Sequence, residues 1–125
     1  MLGDRDVAAT LPVADLARAR EFYEGTLGLK PELEMADEAV LYASGNSRVL
    51  VYRSEYAGTN QGTAASWVAG DGFDDELAAL REKGVTFERY DLPGTTLDGD
   101  VHEMGEIRSV WFKDPDGNIL NLSSQ

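Results

Sequence analysis

The order of segments predicted from the sequence repeats once along the chain, at a spacing of roughly sixty residues. The first copy begins with a predicted strand at 7–13, in which apolar residues alternate. A predicted helix follows, with Asp15 at its N-cap and Gly28 at its end. Three strand-like segments come next, at 29–35, 38–44 and 47–54. The turn sequence "SGNS" between the last two predicts a hairpin.

The second copy has the same order. A predicted strand at 63–70 precedes a predicted helix at 73–84, which ends at Gly84. Further strands are predicted at 85–91, 107–113 and 118–124. Each copy is therefore a β-α-β-β-β module, and such a module leaves one sheet face without a covering layer.

Two modules of this kind are expected to pack together and to share the space between them. We expect a single domain over 1–125, with module one at about 5–56 and module two at about 62–125. A chain of 125 residues is long enough to form one core of ordinary size. The predicted fold class is therefore α+β.

Composition indicates a globular protein outside the membrane. The chain is 42% apolar and 27% charged, and no apolar run approaches the roughly eighteen residues that span a bilayer. The first residues, "MLGDRDVAAT", lack the pattern of a secretory signal. The absence of cysteine excludes disulfides, a thiolate nucleophile and a zinc–thiolate cluster. We expect a cytoplasmic location.

The charge of the chain limits its partners. The formal net charge is −12, which would repel nucleic acid and anionic membranes. We expect neither as a partner. Acidity of this degree favours solubility and also suits a cationic ligand.

Two stretches near the ends of the chain resemble a known family. "LPVADLARAREFYEGTLGLKP" and "VWFKDPDGNILNL" are similar to the vicinal oxygen chelate superfamily, also called the glyoxalase/bleomycin-resistance/dioxygenase family. The resemblance implies that two βαβββ modules form an incomplete barrel with the site inside. It also implies a homodimer, as in many short members. Enzymes of the family hold a divalent metal with four inward-facing His, Gln or Glu residues, whereas other members bind a drug or metabolite without metal.

The family's four metal positions carry poor ligands in this sequence. Carried over residue by residue, they are Ala8, Val51, Ala64 (or Ala65, by a register shift of one) and Asn121. First-row metals favour imidazole and carboxylate, and a single amide oxygen is a weak ligand. We therefore expect no metal and no other cofactor.

One histidine leaves an alternative open. His102 stands beside Glu103 in the Gly- and Asp-rich segment 90–106, near Asp98 and Asp100. His102 and Glu103 are weak candidates for an unorthodox metal or acid–base site, or His102 is a solvated loop residue. A segment of this length without structure is typical of a lid or binding loop.

Strand parity predicts which other residues face the cavity. Residues two apart on a strand share a face, so positions two from the metal positions also point inward. The predicted ligand-binding residues are Thr10, Val51, Arg53, Ser66, Trp111 and Asn121. Three of them have other interpretations: Trp111 as core, Arg53 as an ion-pair partner of Glu55, and Asn121 as a bridge between strands. The "DPDG" sequence is interpreted as a structural turn.

The favoured function is binding of a small organic molecule in a metal-free cavity, for sequestration or transport. Apolar walls with a few polar groups suit that role. The first alternative is an enzyme of the superfamily, a lyase, isomerase or dioxygenase, with its site near His102. The second is an accessory module whose cavity is filled by its own side chains.

Overall fold

The structure is a computed structural model that describes all 125 residues. Its contacts divide the chain into two compact units. The first comprises Met1–Ala64 with Asp114–Asn118, and the second comprises Ala65–Lys113 with Ile119–Gln125. Each unit is built around its own sheet, and neither sheet closes into a barrel.

The first unit has a four-stranded sheet in the order β1-β4-β3-β2. Its strands are β1 (Ala9–Val13), β2 (Lys30–Met35), β3 (Ala39–Ser44) and β4 (Ser47–Arg53). β1 pairs with β4 in parallel and the other pairs are antiparallel. Helix α1 (Leu16–Arg20) continues as a π-helical segment, Glu21–Thr26, and a short 3₁₀ turn at Leu2–Asp4 precedes β1.

Local sequence explains where α1 begins and where the helical stretch stops. The Asp15 carboxylate accepts a hydrogen bond from the Arg18 main-chain N–H at 3.1 Å, which confirms the predicted N-cap. Gly28 has φ +74°, a left-handed conformation that glycine adopts without strain. The chain therefore leaves the helix at the residue predicted to end it.

α1 and its π-helical continuation cover one face of the first sheet. Tyr23 lies with its ring 6.2 Å from that of Tyr42 in β3. Tyr42 is paired with Val49, and Leu11 is paired with Val51, so these four strand residues share the helix-covered side. All of them are less than 5% exposed. They form the apolar core of the first unit.

The second unit has a six-stranded sheet. Its order is β5-β10-β9-β8-β7, with β6 also paired to β9. The strands are β5 (Thr63–Val68), β6 (Phe87–Glu88), β7 (Thr96–Asp98), β8 (Val101–Met104), β9 (Ile107–Lys113) and β10 (Ile119–Ser123). Helix α2 (Phe73–Glu82) follows a 3₁₀ turn at Gly70–Gly72.

Arg108 shows which face of the second sheet α2 covers. Its guanidinium lies 4.7 Å above the Phe73 ring and donates to the two Asp74 oxygens at 2.8 and 3.0 Å. Arg108 alternates in β9 with Val110 and Phe112, both almost fully buried. We call this side the helix-covered face and the opposite side the helix-free face.

The segment 90–106 was predicted as an unstructured loop, and that prediction was wrong. It contains the hairpin of β7 and β8, in which Leu97 pairs with His102. His102 is only 2% exposed, so its interpretation as a solvated loop residue was also wrong. In contrast, the strand predicted at 85–91 is reduced to the two residues of β6.

No helical segment of the structure combines the length and the apolar character needed to cross a bilayer.

Candidate functional site

The helix-free face of the second sheet gathers polar and aromatic side chains. Strand pairing places on it the residues Glu88, His102, Ser109, Trp111, Asn121 and Ser123. The helix-covered face carries Val110, Phe112, Leu120 and Leu122 instead. The helix-free face also carries Ile107 and Ile119, so it combines aliphatic, aromatic and polar side chains, and it is the candidate site.

Trp111 and Asn121 are cross-strand partners on this face. Parity had predicted that both share the side opposite the helix, and the pairing agrees with that expectation. Asn121 is 6% exposed, and its Nδ2 donates to the Val110 carbonyl at 3.2 Å. One amide proton of Asn121 is thus engaged in bridging β10 to β9, which is one of the roles expected from the sequence. This engagement fixes the orientation of the amide group.

An aromatic cluster of Tyr90, His102 and Trp111 lies next to this pair. The ring centroids of His102 and Trp111 are 4.8 Å apart, with an interplanar angle of 83°. Tyr90 lies 5.8 Å from Trp111, also edge to face, and 6.0 Å from His102. All three separations, and the edge-to-face angles of the two pairs that include Trp111, are ones that aromatic rings favour.

The hydrogen bonds of His102 define its tautomer. Nε2 accepts a hydrogen bond from the Tyr90 main-chain N–H at 2.9 Å, so Nε2 carries no proton. The imidazole proton is then on Nδ1. Nδ1 is buried and has no hydrogen-bonding partner. A buried donor without an acceptor is uncommon in native proteins.

The Tyr90 hydroxyl is the second buried polar atom of the cluster without a partner. Burial raises the pKa of Tyr90, and the charge of Glu88 raises it further, whereas Lys113 lowers it. The phenol is therefore protonated at neutral pH and can donate. The cluster thus presents two donors, Nδ1–H and Oη–H, that the chain itself leaves unpaired.

Basic groups near the cluster are already paired. Lys113 lies 3.1 Å from the Glu88 carboxylate. Arg89 lies 3.0 Å from Asp100. The second cluster donor, on Tyr90, is therefore flanked by an ion pair rather than by a free cation.

The sequence-based pairing of His102 with Glu103 as a site was wrong. Adjacent strand residues point to opposite faces, and Glu103 is the cross-strand partner of Arg108 on the helix-covered side. Asp100 forms an ion pair with Arg89, and Asp98 lies in β7. No group of three or more His, Cys, Asp or Glu side chains in the structure could hold a metal ion.

Thr10 and Val51 were predicted to share the cavity-facing side, and the structure contradicts this. Thr10 is paired with Leu50, whereas Val51 is paired with Leu11 beneath α1. Val51 is fully buried and Thr10 is exposed. The predicted parity was therefore off by one residue in β4, and the side of β4 away from α1 carries Leu50 and Tyr52.

Two further predicted residues are exposed. Arg53 lies at the end of β4 and is 3.4 Å from Glu38, which agrees with its interpretation as the partner of an acidic surface group such as Glu55. Ser66 lies in β5. The structure does not bring either residue into the aromatic cluster.

The family's metal does not fit the donor set. Ala8 precedes β1 and Ala64 and Ala65 lie in β5, and none of them has a coordinating atom in its side chain. If the predicted register of β4 is shifted by one residue, the second metal position falls on Leu50 or Tyr52 instead of Val51. Neither residue supplies a carboxylate or an imidazole. Asn121 would contribute one amide oxygen, a weak ligand for first-row metals.

The "DPDG" aspartates have structural partners within the turn and beyond it, and the turn interpretation agrees with this. Asp114 accepts from the main-chain N–H groups of Asp116 and Asn118 at 2.9 and 2.8 Å. Asp116 accepts from the Ala14 N–H and from Arg18, both at 3.0 Å. Gly117 has φ +85°.

Sequence reasoning named Tyr90, Asp91, His102 and Glu103 as residues that the 90–106 segment could bring over a ligand, but it did not place Tyr90 and His102 beside Trp111 in a sheet. The missed signal is the "TLDGDVHEM" stretch, in which Gly99-Asp100 separates two short runs. A two-residue Gly-Asp loop in this setting is a hairpin signal. Reading it as a hairpin would have placed His102 on a strand rather than in a loop.

Comparisons with known proteins agree on the fold. A family model described as the Glyoxalase/Bleomycin resistance protein/Dioxygenase superfamily matches residues 7–122. The bleomycin-binding protein of Streptomyces verticillus, solved with copper(II)-bleomycin, has a TM-score of 0.73 at 20% identity, covering 97% of this chain and 96% of that one. No curated protein matches the chain.

Two further proteins of known structure share the same architecture. Lactoylglutathione lyase from Agrobacterium tumefaciens has a TM-score of 0.70 at 18% identity, over 95% of this chain and 92% of that one. The fosfomycin resistance protein FosX from Mesorhizobium loti has a TM-score of 0.69 at 17% identity, over 100% and 94%. The α+β fold with two sheets matches these neighbours, and the chain belongs to the glyoxalase/bleomycin resistance protein/dioxygenase superfamily.

Proposed function

We propose that this protein binds a small organic molecule without a metal, at the helix-free face of its second sheet. The observation that carries the proposal is the aromatic cluster of Tyr90, His102 and Trp111, with two buried donors that have no partner. Aromatic walls and a few oriented polar groups are the usual composition of a small-molecule site.

The absence of a suitable donor set supports binding without a metal. Three of the four family positions carry neither imidazole nor carboxylate, whichever register is taken in β4, and the fourth is Asn121. The Streptomyces verticillus neighbour is a bleomycin-binding protein, so this fold also serves in ligand binding. At 20% identity that neighbour does not specify the ligand of this chain.

A thermal-shift screen tests both parts of the proposal. Purified protein is titrated with Ni²⁺, Mn²⁺, Zn²⁺ and Fe²⁺, and separately with a library of drugs and aromatic metabolites that includes bleomycin. A ligand that binds only the folded state raises Tm. We expect organic hits and no metal response. A stoichiometric metal by elemental analysis, with a clear rise in Tm, would contradict the metal-free proposal.

A pair of tryptophan variants locates the hits. The chain has two tryptophans, Trp111 in β9 and Trp67 in β5. Strand β10 lies between those two strands in the sheet. In Trp67→Phe the remaining indole is in the cluster, so a hit should quench its fluorescence. In Trp111→Phe the remaining indole is two strands away, and the same hit should bind more weakly. Equal affinity in both variants would place the binding site elsewhere.

An enzyme without a metal is the second candidate, because His102 Nδ1 and Tyr90 Oη are both protonated groups that could donate a proton to a bound molecule. Incubating each organic hit with the protein and analysing it by mass spectrometry separates the two functions. A hit recovered unchanged supports binding. A hit converted by the protein, but not by His102→Gln, supports catalysis.

A further inference from the structure

We infer that the ligand is an uncharged planar molecule whose acceptor atoms, carbonyl oxygens or unprotonated ring nitrogens, take hydrogen bonds from His102 Nδ1 and Tyr90 Oη. The inference rests on the proposed function, because it specifies the class of ligand for the same site. It follows from the hydrogen-bonding, packing and charge of three side chains.

The two nitrogens of His102 have fixed roles. A main-chain amide only donates, and Tyr90 N–H donates to Nε2 at 2.9 Å. Nε2 is therefore the acceptor of this ring and Nδ1 is its donor. His102 is 2% exposed, and Nδ1 has no partner in the protein. An acceptor brought by a ligand would satisfy this donor.

Tyr90 adds a second donor beside the first. Its hydroxyl is buried and unpartnered, and the two rings lie 6.0 Å apart with a tilt of 37°. Since the Tyr90 main chain holds His102 in position, both donors belong to one local structure. A ligand that reaches either donor also meets the ring of Trp111, which is 4.8 Å from His102 and 5.8 Å from Tyr90. A planar ligand suits such rings, because offset and edge-to-face contacts are favourable.

The surrounding charge selects an uncharged acceptor. An anion would require a free cation, but Lys113 is paired with Glu88 at 3.1 Å, and the chain carries a net charge of −12. A protonated amine has only donors, so it could not satisfy two donors of the protein. A neutral carbonyl oxygen or ring nitrogen can accept a hydrogen bond from the protein and needs no cation nearby.

Because His102 is the only histidine of the chain, its tautomer can be measured directly. In protein labelled with ¹⁵N-histidine, every imidazole signal belongs to His102. Long-range ¹H–¹⁵N spectra of the free protein at neutral pH should show a protonated Nδ1 and an unprotonated Nε2. The opposite tautomer, or a doubly protonated ring, would overturn the inference before any ligand is added.

Three probes of similar shape test the ligand class. Quinoline has a ring nitrogen that accepts, naphthalene lacks it, and 2-naphthoate carries a negative charge. We expect quinoline to shift the Nδ1 signal and to bind about tenfold more tightly than naphthalene, the value of one additional hydrogen bond. We expect 2-naphthoate to bind more weakly than quinoline. Equal binding of quinoline and naphthalene, tighter binding of 2-naphthoate, or no shift with any probe would overturn the inference.

Conservative variants assign the effect to the two donors. Tyr90→Phe keeps the ring and removes only Oη, and should lower the preference for quinoline over naphthalene less than loss of the Nδ1 donor does, because the single quinoline nitrogen accepts mainly from Nδ1. His102→Asn keeps a donor near the position of Nδ1, whereas His102→Gln keeps an acceptor near the position of Nε2 for the Tyr90 amide. The preference should persist in the Asn variant and disappear in the Gln variant. An unchanged preference in Tyr90→Phe and His102→Gln would show that the site holds an ordered water or another acceptor instead.

The failure of this inference can be told apart from failure of the proposed function. Organic hits that raise Tm but leave the His102 signals unchanged would preserve the proposed function and overturn the ligand class. An organic library without any hit would overturn both. Circular dichroism of each variant confirms that it is folded before affinity is measured.

Discussion

Tyr23 donates its hydroxyl proton to Asp114 Oδ2 at 2.6 Å, between residues 91 positions apart in the chain. Tyr23 is fully buried and Asp114 is 5% exposed. The same Asp114 oxygen accepts from Asn118 Nδ2 at 2.8 Å. Asn118 Nδ2 also donates to the Pro12 carbonyl at 2.8 Å. Residues of the "DPDG" turn are therefore hydrogen-bonded to a helical residue and a strand residue of the first compact unit.

Tyr23→Phe is expected to lower the free energy of unfolding by about 1–3 kcal/mol, because it removes a buried hydrogen bond to a charged group. Urea unfolding measures this change. The matched control is Tyr42→Phe, whose hydroxyl donates to the partly buried Glu24 at 2.8 Å. Glu24 keeps its bond to Arg20, so the control should lose only about 0.5–1 kcal/mol. A control as damaging as the test variant would contradict this ranking.

Stability should fall at alkaline pH because of Tyr23. Burial raises its pKa well above the ordinary 10.0, and the charge of Asp114 and their hydrogen bond raise it further. The unfolded chain loses the phenol proton near pH 10 whereas the folded chain keeps it. The stabilisation is therefore complete below pH 10 and is lost as pH rises beyond it, at about 1.4 kcal/mol per pH unit. Urea unfolding from pH 8 to 11 should give Tyr23→Phe a shallower decline than the unmodified chain, and identical slopes would refute the assignment.

Much of the fold could be predicted because its signals are local. The cap at Asp15, the glycine at Gly28 and the "SGNS" turn between β3 and β4 each act over a few residues. The β7–β8 hairpin was missed because its strands have three and four residues. Alternation is a weak signal over so few positions, so the Gly99-Asp100 turn was the only clear local sign, and the pairing of β8 with β9 rather than intrinsic propensity accounts for β8.

For the candidate site, the predicted side-chain orientation was correct where a nearby turn fixes the strand register. The "DPDG" turn connects β9 and β10 directly, so Trp111 and Asn121 were correctly placed on one side. In β4 the run "VLVY" is apolar at every position, so periodicity could not tell the two faces apart, and Val51 was assigned to the wrong one. The partnership of Tyr90 with His102 depends on a tertiary hydrogen bond that no local pattern encodes.

Gly58 is expected to tolerate alanine poorly. It has φ +82°, and a Cβ there would lie 3.1 Å from the Asp116 main-chain oxygen. Gly94 has φ +71° with nothing within 4 Å, so Gly94→Ala measures the conformational cost alone, about 1–2 kcal/mol. Gly58→Ala should lose about 1–3 kcal/mol more in urea unfolding, because the backbone must also shift. Equal losses would mean that the contact with Asp116 is relieved without cost.

Asn121→Asp tests the buried bridge on the helix-free face. Asn121 donates to the Val110 carbonyl, and an aspartate at this position would set a carboxylate oxygen against that acceptor. We expect a loss of about 2–4 kcal/mol at neutral pH. Burial should raise the pKa of the new carboxyl, so the ionised form is penalised above that pKa and stability is regained as pH falls below it. Urea unfolding at neutral pH and near pH 4.5, each compared with the unmodified chain, measures the recovery.

The matched control for that change is Asn60→Asp. Asn60 is exposed, and its Nδ2 donates to the Gly62 carbonyl at 3.1 Å, so the same chemical change occurs there in contact with water. Because water solvates the new carboxylate, the loss should stay below about 1 kcal/mol and should depend little on pH. If Asn121→Asp is as mild as this control, the amide of Asn121 is free to reorient. Its carbonyl oxygen and both amide protons would then be available to a ligand beside Trp111.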